Sequence, residues 1–248
     1  MDKKVFYGII FLKLSRFSLT VKLYLPVKRW LLSLSLILLI CISLFAISKF
    51  VAPLSSIVSS SSKEEATHEI NDQLLLLQKS DEARSYCAHN KFNESFCLLV
   101  NMSMHSGKKR FYVWDLAENK AIDSGLVSHG CGDNWWGVVN TVRDPPFSNK
   151  YESHCTSEGK YRVGKRDYSQ WGINVKYFLH GLDSTNSNAL GREIVLHSWE
   201  EVKENEIFPA GTAEGWGCPA ISNEFMKRLD GRLKNSKRPV LLWIFNED

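Results

Sequence analysis

One apolar run near the start of the chain determines how the rest of it can be organised. Residues 30–47 read WLLSLSLILLICISLFAI and contain no acidic or basic side chain. A helix rises about 1.5 Å per residue, so a run of this length covers most of a ~30 Å hydrocarbon core. We therefore predict a transmembrane helix over residues 30–50, preceded by a basic cytoplasmic tail over residues 1–29.

The charge of the chain is concentrated in that tail. The whole sequence carries a formal net charge of +4, whereas the seven basic residues and one acidic residue of positions 1–29 alone supply +6. Basic residues beside an apolar segment stay on the cytoplasmic side of a membrane, so the C-terminal body should be exported. The body itself is slightly acidic, which removes the electrostatic case for a nucleic-acid-binding protein.

A cleaved signal peptide is the alternative interpretation of the same segment. Ala46-Ile47-Ser48 offers a small-residue cleavage site, although a poor one. The basic region of 29 residues is long for a signal peptide, which favours an uncleaved anchor. Both interpretations place the body outside the cytoplasm.

Composition divides the exported part into a spacer and a folded domain. Residues 55–67 (SSIVSSSSKEEAT) are serine-rich and then acidic, which is typical of a flexible linker. The residues from Glu69 to Tyr86 favour a helix, so residues 51–86 are predicted to hold the linker and this helix. Residues 87–248 are enough for a single domain with one hydrophobic core.

The pattern within residues 87–248 is mainly that of β-strands. Short runs rich in Val, Ile and aromatic residues alternate with clusters of Gly, Asn, Asp and Ser. The predicted strands are Arg110–Asp115, Ala121–Val127, Lys160–Val163, Lys176–Leu179, Glu193–Leu196 and Pro239–Phe245. One helix is predicted near Ser222 to Leu233, because Ser222 can cap it and apolar residues recur at helical spacing. The pattern predicts a mainly β domain with peripheral α-helices and does not choose between a β-sandwich and a barrel.

An odd number of cysteines indicates one free thiol. Of the six cysteines, Cys41 falls in the apolar run and five lie in the exported body. In an oxidising compartment, five cysteines form at most two disulfides. The candidate disulfides are Cys87 with Cys97 and Cys131 with Cys155. This pairing leaves Cys218 free, but it is one of fifteen such arrangements that five cysteines allow.

The residues around Cys218 suit a nucleophile. Gly217 lets a substrate backbone approach and leaves peptide N–H groups for an oxyanion. The helix predicted near Ser222 should favour the thiolate and lower the pKa of the thiol. His197 lies 21 residues upstream, at the end of a predicted strand, where it can act as the base. A buried cysteine and a hydrogen-bonded strand histidine are the simpler explanation of the same two residues.

Several separate blocks of the body occur in an order typical of one enzyme family. The blocks are Met102–Lys108, Phe147–Asn149, Ser157–Lys160, Leu179–Ala189, Arg192–His197, Trp216–Ala220 and Pro239–Ile244. With them, the region from about Asn101 to Asp248 resembles the L,D-transpeptidases, the cysteine acyltransferases of bacterial peptidoglycan. The resemblance is closest to the branch with a Gly-Cys-Pro motif. It implies that Cys218 is the nucleophile, that His197 is the base and that no metal or organic cofactor is needed.

The resemblance also implies a substrate and its contacts. The enzyme would act on peptidoglycan stem peptides through a thioester acyl-enzyme. The backbone N–H of the nucleophile would bind the oxyanion, together with one from Trp216 or Gly217. His180 and Ser198 are candidate substrate-binding residues. Trp216 replaces a histidine of the common family motif, and Ala220 stands where a polar or basic residue is frequent, so the donor and the acceptor are left open.

The expected location follows from the anchor and the family together. It is the bacterial inner membrane, with a single span, a cytoplasmic N-terminus and a periplasmic catalytic domain. The alternative functions are a hydrolase of the same fold, as an L,D-carboxypeptidase or an amidase of cross-links or protein tethers, and a non-catalytic peptidoglycan-binding module.

A second cysteine motif lies earlier in the chain. Ser128-His129-Gly130-Cys131 spells the common family motif, but about five strand and helix segments follow it, whereas the family cysteine is followed by one helix and one strand. We therefore predict that Cys131 is not the nucleophile. His129 and Cys131, with His154 and Cys155, match no strong zinc signature, and no metal site is predicted.

Five tryptophans of the body are candidates for an aromatic wall that binds glycan or peptide. They are Trp135, Trp136, Trp171, Trp199 and Trp216. Tryptophans at this density are more often part of a core or its rim.

Overall fold

The computed structural model describes residue 34 and residues 36–47 and 66–246. Residue 34 and residues 36–47, in the apolar run, are helical. Among the described residues, no helix is both long enough and apolar enough to cross a membrane. The predicted tail over residues 1–29 lies outside the described residues, as do residues 30–33, 35 and 48–50 of the predicted anchor and residues 51–65 of the predicted linker.

The compact unit of the body begins at Ala66 with a helix. This helix, α1, covers residues 66–90. Its buried residues Leu76 and Ala83 pack in one apolar cluster with Leu99 and Trp243 of the sheet. The structure therefore includes α1 in the domain, whereas the sequence had suggested a boundary at residue 87.

The domain is built on one mixed sheet of eight strands. The strands are β1 (Phe96–Asn101), β2 (Phe111–Asp115), β3 (Lys120–Gly125), β4 (Gly159–Tyr168), β5 (Val175–Gly181), β6 (Val195–Ser198), β7 (Ala220–Ile221) and β8 (Leu241–Phe245). Their order in the sheet is β3-β2-β1-β8-β4-β5-β6-β7. The pairing of β1 with β8 is parallel, and that of β8 with β4 is antiparallel. The last strand of the chain thus joins the two halves of the sheet.

The central strands are buried on both faces. In β8, Leu242 and Ile244 belong to the main core, whereas Leu241, Trp243 and Phe245 belong to the cluster under α1. Successive side chains of a strand point to opposite faces, so this alternation places an apolar layer on each side of the sheet. A continuous apolar run such as LLWIF is typical of a strand buried in this way.

Helix α2 (Asn223–Lys234) covers the main core. Ser222 caps it by accepting a hydrogen bond from the backbone N–H of Phe225 at 3.1 Å. Phe225, Met226 and Leu229 are fully buried in the main core. The predicted cap and apolar spacing are confirmed here.

The sheet closes on itself in the manner of a barrel. The segment that follows β3 runs along β7, the opposite edge of the sheet: Val127 bridges Ile221, and the N–H of Ser128 donates to the carbonyl of Ala220 at 2.9 Å. Further along, Gly130 bridges Gly215. The mainly β prediction is confirmed, and the choice between sandwich and barrel is decided in favour of a barrel-like sheet.

The described cysteines form no disulfide, so the two candidate pairings are corrected. Cys41, Cys87, Cys97, Cys131, Cys155 and Cys218 are all free thiols. Cys87 and Cys97 are buried in the apolar cluster under α1. Burial, with a small contribution from Glu94, raises the pKa of Cys87 to about 12, so the thiol is neutral. The two thiols act there as small apolar side chains.

Candidate active site

The pairing of β6 with β7 brings Cys218 and His197 together. In this parallel pair, His197 lies opposite Ala220, two residues after the cysteine. The backbone N–H of Val195 donates to Cys218 Sγ at 3.4 Å, which fixes the sulfur against β6. Val195 and His197 lie on the same face of β6, because side chains two residues apart point to the same side of a strand. The imidazole and the thiol line one cavity of about 750 Å³.

A backbone carbonyl orients the ring of His197. Its Nδ1 lies 3.0 Å from the carbonyl oxygen of Ser198. A carbonyl only accepts hydrogen bonds, so the proton is on Nδ1 and Nε2 holds the lone pair. Burial lowers the pKa of the imidazole, against smaller opposing effects of this hydrogen bond and of Glu200. The ring is therefore neutral near pH 7 and can accept a proton at Nε2.

The thiol of Cys218 is neutral at rest. Burial raises its pKa, and this outweighs the hydrogen bond from Val195 and the positive charges of Arg192 and Lys176. The expectation that a helix N-terminus would lower this pKa is wrong. Helix α2 starts five residues later, at Asn223, and the helix dipole acts only within about one turn. The sulfur needs a base in order to attack, and His197 lines the same cavity.

The loop that carries the sulfur leaves backbone donors available. Gly217 has φ = +94°, and a Cβ there would lie 2.4 Å from the carbonyl oxygen of Cys155, so this backbone requires glycine. Within the described part of the chain, no hydrogen bond uses the backbone N–H of Trp216, Gly217 or Cys218. These N–H groups can bind an oxyanion that forms next to the sulfur.

Two cations line the same cavity. Lys176 of β5 is the register partner of His197. Arg192 donates to the carbonyl oxygens of Ser148 and Cys155, at 2.8 and 2.7 Å. Among the described residues, neither cation forms an ion pair with a carboxylate, although Glu193 also lines the cavity. The cavity therefore suits a ligand that carries carboxylates.

No motif in the sequence singles out these two cations. In β5, Lys176 lies on the face opposite that of the buried Val175 and Tyr177, and this alternation of polar and apolar residues is visible in the sequence. Arg192 lies inside a block that resembles the transpeptidases, but its bonds to oxygens far along the chain are visible only in the structure.

Four of the five candidate tryptophans meet at the cavity. Trp136 stacks on Trp199, with ring centroids 5.2 Å apart and planes at 25°, and lies 6.0 Å from Trp171 and 6.1 Å from Trp216. We call these four residues the aromatic wall. All four line the cavity that holds Cys218. Trp135 is 83% exposed and makes no ring contact among the described residues.

The earlier cysteine motif supports the loop of Cys218, and one of its residues, Ser128, also lines the cavity. Cys131 is buried, and its N–H donates to the carbonyl of Gly215 at 2.8 Å. The hydroxyl of Ser128 accepts the N–H of Ala220 at 3.2 Å. His129 lies between two buried charged side chains: its Nδ1 is 2.8 Å from an Arg110 nitrogen, and its Nε2 is 3.4 Å from Glu214. The motif thus braces the loop that leads to Cys218.

The two candidate substrate-binding residues lie outside the cavity. Ser198 is fully buried, and its hydroxyl accepts the N–H of Ile173 at 3.0 Å, so it contributes only its carbonyl, to His197. His180 lies four residues along β5 from Lys176, about 13 Å at strand spacing. The structure therefore does not place these two residues with Cys218 and His197, and their contacts with substrate stay predictions. Among the described residues, no three or more His, Cys, Asp or Glu side chains are grouped as a metal site.

Comparisons with known proteins identify one family. A family model described as the L,D-transpeptidase catalytic domain matches residues 67–243. No curated protein sequence matches the chain significantly.

Similar solved structures share only 10–11% sequence identity with the chain. The helical cell shape determining protein Pgp2 from Campylobacter jejuni is 11% identical with a TM-score of 0.41, over 62% of this chain and 48% of that chain. An L,D-transpeptidase from Xylanimonas cellulosilytica is 10% identical with a TM-score of 0.34, over 61% and 60%. The Ldtfm–avibactam carbamoyl enzyme is 11% identical with a TM-score of 0.35, over 63% and 51%. The matched part thus spans about half to three fifths of these proteins.

Proposed function

Since the chain belongs to the L,D-transpeptidase catalytic-domain family, with residues 67–243 matched, we propose that it is a cysteine acyltransferase of peptidoglycan stem peptides. The observation that supports this proposal is the arrangement of Cys218 and His197 on one cavity, with the sulfur fixed against β6 and the ring oriented by Ser198. A neutral thiol beside a neutral imidazole is a nucleophile with its base.

The acylation step needs only these groups. His197 Nε2 takes the proton of the thiol while Sγ forms a bond to the carbonyl carbon of the third stem residue (diaminopimelate in many bacteria). The resulting oxyanion is held by the N–H of Cys218 with that of Gly217 or Trp216, and one such donor is worth about 3–4 kcal/mol. When the C–N bond breaks, the imidazolium returns the proton to the leaving amine of D-alanine. The products are a thioester and a free D-amino acid.

The second step determines the type of reaction. An acceptor amine that attacks the thioester gives a transpeptidase, and His197 again removes a proton. Water that attacks in place of the amine gives an L,D-carboxypeptidase. If the thiol instead attacks a cross-link or the bond to a tethered protein, and water resolves the thioester, the enzyme is a hydrolase of that bond. Lys176 and Arg192, which pair with no carboxylate among the described residues, support a substrate with carboxylates, which all these reactions share.

Acylation by a carbapenem, which modifies the family cysteine, tests the nucleophile. We expect one adduct in the intact mass, mapped to Cys218, and no adduct in Cys218→Ser. Cys131→Ser is the matched control and should be acylated as the wild-type protein is. His197→Ala should slow turnover of a stem tetrapeptide by about 10²–10⁴-fold. An adduct on Cys131, or normal turnover in Cys218→Ser, would refute the assignment, and a folded but inert wild-type protein would indicate a non-catalytic module.

We also propose that the apolar run anchors the enzyme in the inner membrane, with the domain on the periplasmic side. The support is the uncharged stretch of residues 30–47 and the excess of basic residues before it. Membrane fractions washed at alkaline pH should retain the protein, and protease added to the periplasm should digest the domain. Release by the wash would contradict the anchor.

A further inference from the structure

We propose that the aromatic wall is a glycan-binding subsite, which takes the N-acetylated sugar that carries the stem peptide. This inference rests on the proposed function, because it assumes peptidoglycan as the substrate. It adds the sugar as a part of the substrate that the enzyme recognises.

The wall presents flat aromatic surface to solvent. Trp136, Trp171 and Trp216 are 44%, 39% and 60% exposed, whereas Trp199 is 5% exposed and supports Trp136 from beneath. Exposed and contiguous apolar surface on a soluble domain usually marks a binding site. The indole N–H groups of these four residues donate to no acceptor in the described part of the chain, so they are available to a ligand.

Buried hydrogen bonds hold the wall in place. Glu214, which is 1% exposed, accepts the backbone N–H of Asn140 at 2.7 Å and that of Thr141 at 2.5 Å. Its own backbone pairs with Gly137 and Val138, directly after Trp136. The loop that carries Trp136 is therefore fixed before a ligand arrives, which lowers the entropy cost of binding.

The chemistry of peptidoglycan leaves the sugar as the partner for these rings. Stem peptides consist of alanine, glutamate and a diamino acid, which are small or charged and offer no large apolar side chain to cover three indoles. An ammonium group on the rings is disfavoured, because the positive charges of Lys176 and Arg192 line the same cavity and no described carboxylate forms an ion pair with either. A pyranose ring has an apolar face of C–H groups, and its hydroxyl and acetamido groups can accept the indole N–H bonds.

The distances fit one substrate that occupies both places. The Cα of Trp216 is two residues from that of Cys218, so at most about 7.6 Å separates them. The ring centroids of Trp216 and Trp136 lie 6.1 Å apart. Three extended residues reach about 10 Å, which is the span from the attacked third residue back to the sugar.

Kinetics with two matched substrates test the subsite. The probes are the free tetrapeptide L-Ala-γ-D-Glu-diaminopimelate-D-Ala and the same peptide on N-acetylglucosaminyl-N-acetylmuramic acid. We expect wild-type kcat/KM to be higher for the disaccharide form, and Trp136→Ala to reduce this preference about 5- to 10-fold. Trp136→Tyr should retain part of it. Trp135→Ala is the matched control, since Trp135 lies outside the wall, and should leave the preference unchanged.

Each result decides the question. Equal losses on both substrates in Trp136→Ala, or no loss on either, would overturn the subsite, and neither would affect the proposed reaction. If the wild-type enzyme turns over neither peptide, the proposed function fails and the subsite is judged by binding alone. In that case Cys218→Ser protein is titrated with the peptide-free disaccharide, and we expect the disaccharide to quench tryptophan fluorescence. The quenching should persist when Trp135→Ala is added to the same protein. Absence of this quenching would overturn the subsite, and this test does not require the variants at Trp136 to fold.

Discussion

At the scale of single residues, the proposed chemistry uses Cys218 and His197 as two neutral groups and not as an ion pair. Burial raises the pKa of Cys218 and lowers that of His197, so both changes favour the uncharged forms. The sequence singled out both residues, Cys218 through the odd thiol and the Gly-Cys-Pro motif, and the structure places them on one cavity. The local sequence predicted the wrong direction for the pKa of the thiol, because desolvation by residues distant in sequence is not visible in a local pattern. Lys176 and Arg192 were missed for the same reason.

A pH profile tests this pair. The pKa of His197 lies below its ordinary 6.5, so the imidazole becomes neutral, and able to act as the base, as the pH rises through that lowered value. The acidic limb of kcat/KM should therefore lie below pH 6.5. Glu200→Gln should move the limb to still lower pH, because the charge of Glu200 raises the pKa of the ring. An acidic limb near pH 8–9 would mean that a preformed thiolate controls the rate.

At the scale of elements, the sequence predicted strands where apolar residues alternate and missed those whose position depends on distant partners. The hairpin of β2 and β3, strands β4, β5, β6 and β8, and helix α2 all occur near their predicted positions. Strand β7 has two residues, Ala220–Ile221, and exists because β6 lies beside it. Strand β1 reads FCLLVN without clear alternation, since both of its faces are buried. Pairing across the sheet, and not local propensity, determines these two strands.

The buried carboxylate of Glu214 is the anchor of the loop over residues 137–141. Burial alone would raise its pKa, but hydrogen bonds with His129, Asn140 and Thr141 lower it to about 2. The ionised form therefore stabilises the fold above the ordinary pKa of 4.5, and this contribution is lost as the pH falls toward 2.

Glu214→Gln should reduce the free energy of unfolding at pH 7 by about 1–3 kcal/mol, because buried N–H groups lose a charged acceptor. Urea unfolding at pH 7 and pH 3 should show a smaller difference from wild type at pH 3. Glu118→Gln, at an exposed carboxylate, is the control and should change neither value. A difference that grows on acidification would contradict this role.

At the scale of the whole molecule, helix α1 completes the domain. It covers the face of the sheet that carries Leu99, Leu241 and Trp243, which are buried together with Leu76 and Ala83. The sequence treated this helix as part of a linker, since the apolar residues of α1 are few and their partners are distant strands. The matched family region also starts at residue 67 and so includes the helix.

Substitutions at two leucines of α1 test whether the helix packs against the sheet. Leu76→Ala should lower the free energy of unfolding by about 2–5 kcal/mol, because it leaves a cavity in the cluster. Leu74→Ala, at a position that is 60% exposed, makes the same change outside the cluster and should have little effect. Thermal or urea unfolding of both variants measures the difference, and equal effects would show that α1 is not part of the folded unit.

The place of β8 in the sheet has a consequence for biosynthesis. Leu98 pairs with Leu242, 144 residues further along the chain, and β8 joins the two halves of the sheet. Residue 242 is synthesised long after residue 98, so the central pairing cannot form before β8 has left the ribosome. Such a topology of high contact order folds slowly. Until β8 is available, the edge of β1 that faces it stays unpaired although β1 already has β2 on its other side, and an unpaired strand edge exposes a nascent chain to aggregation.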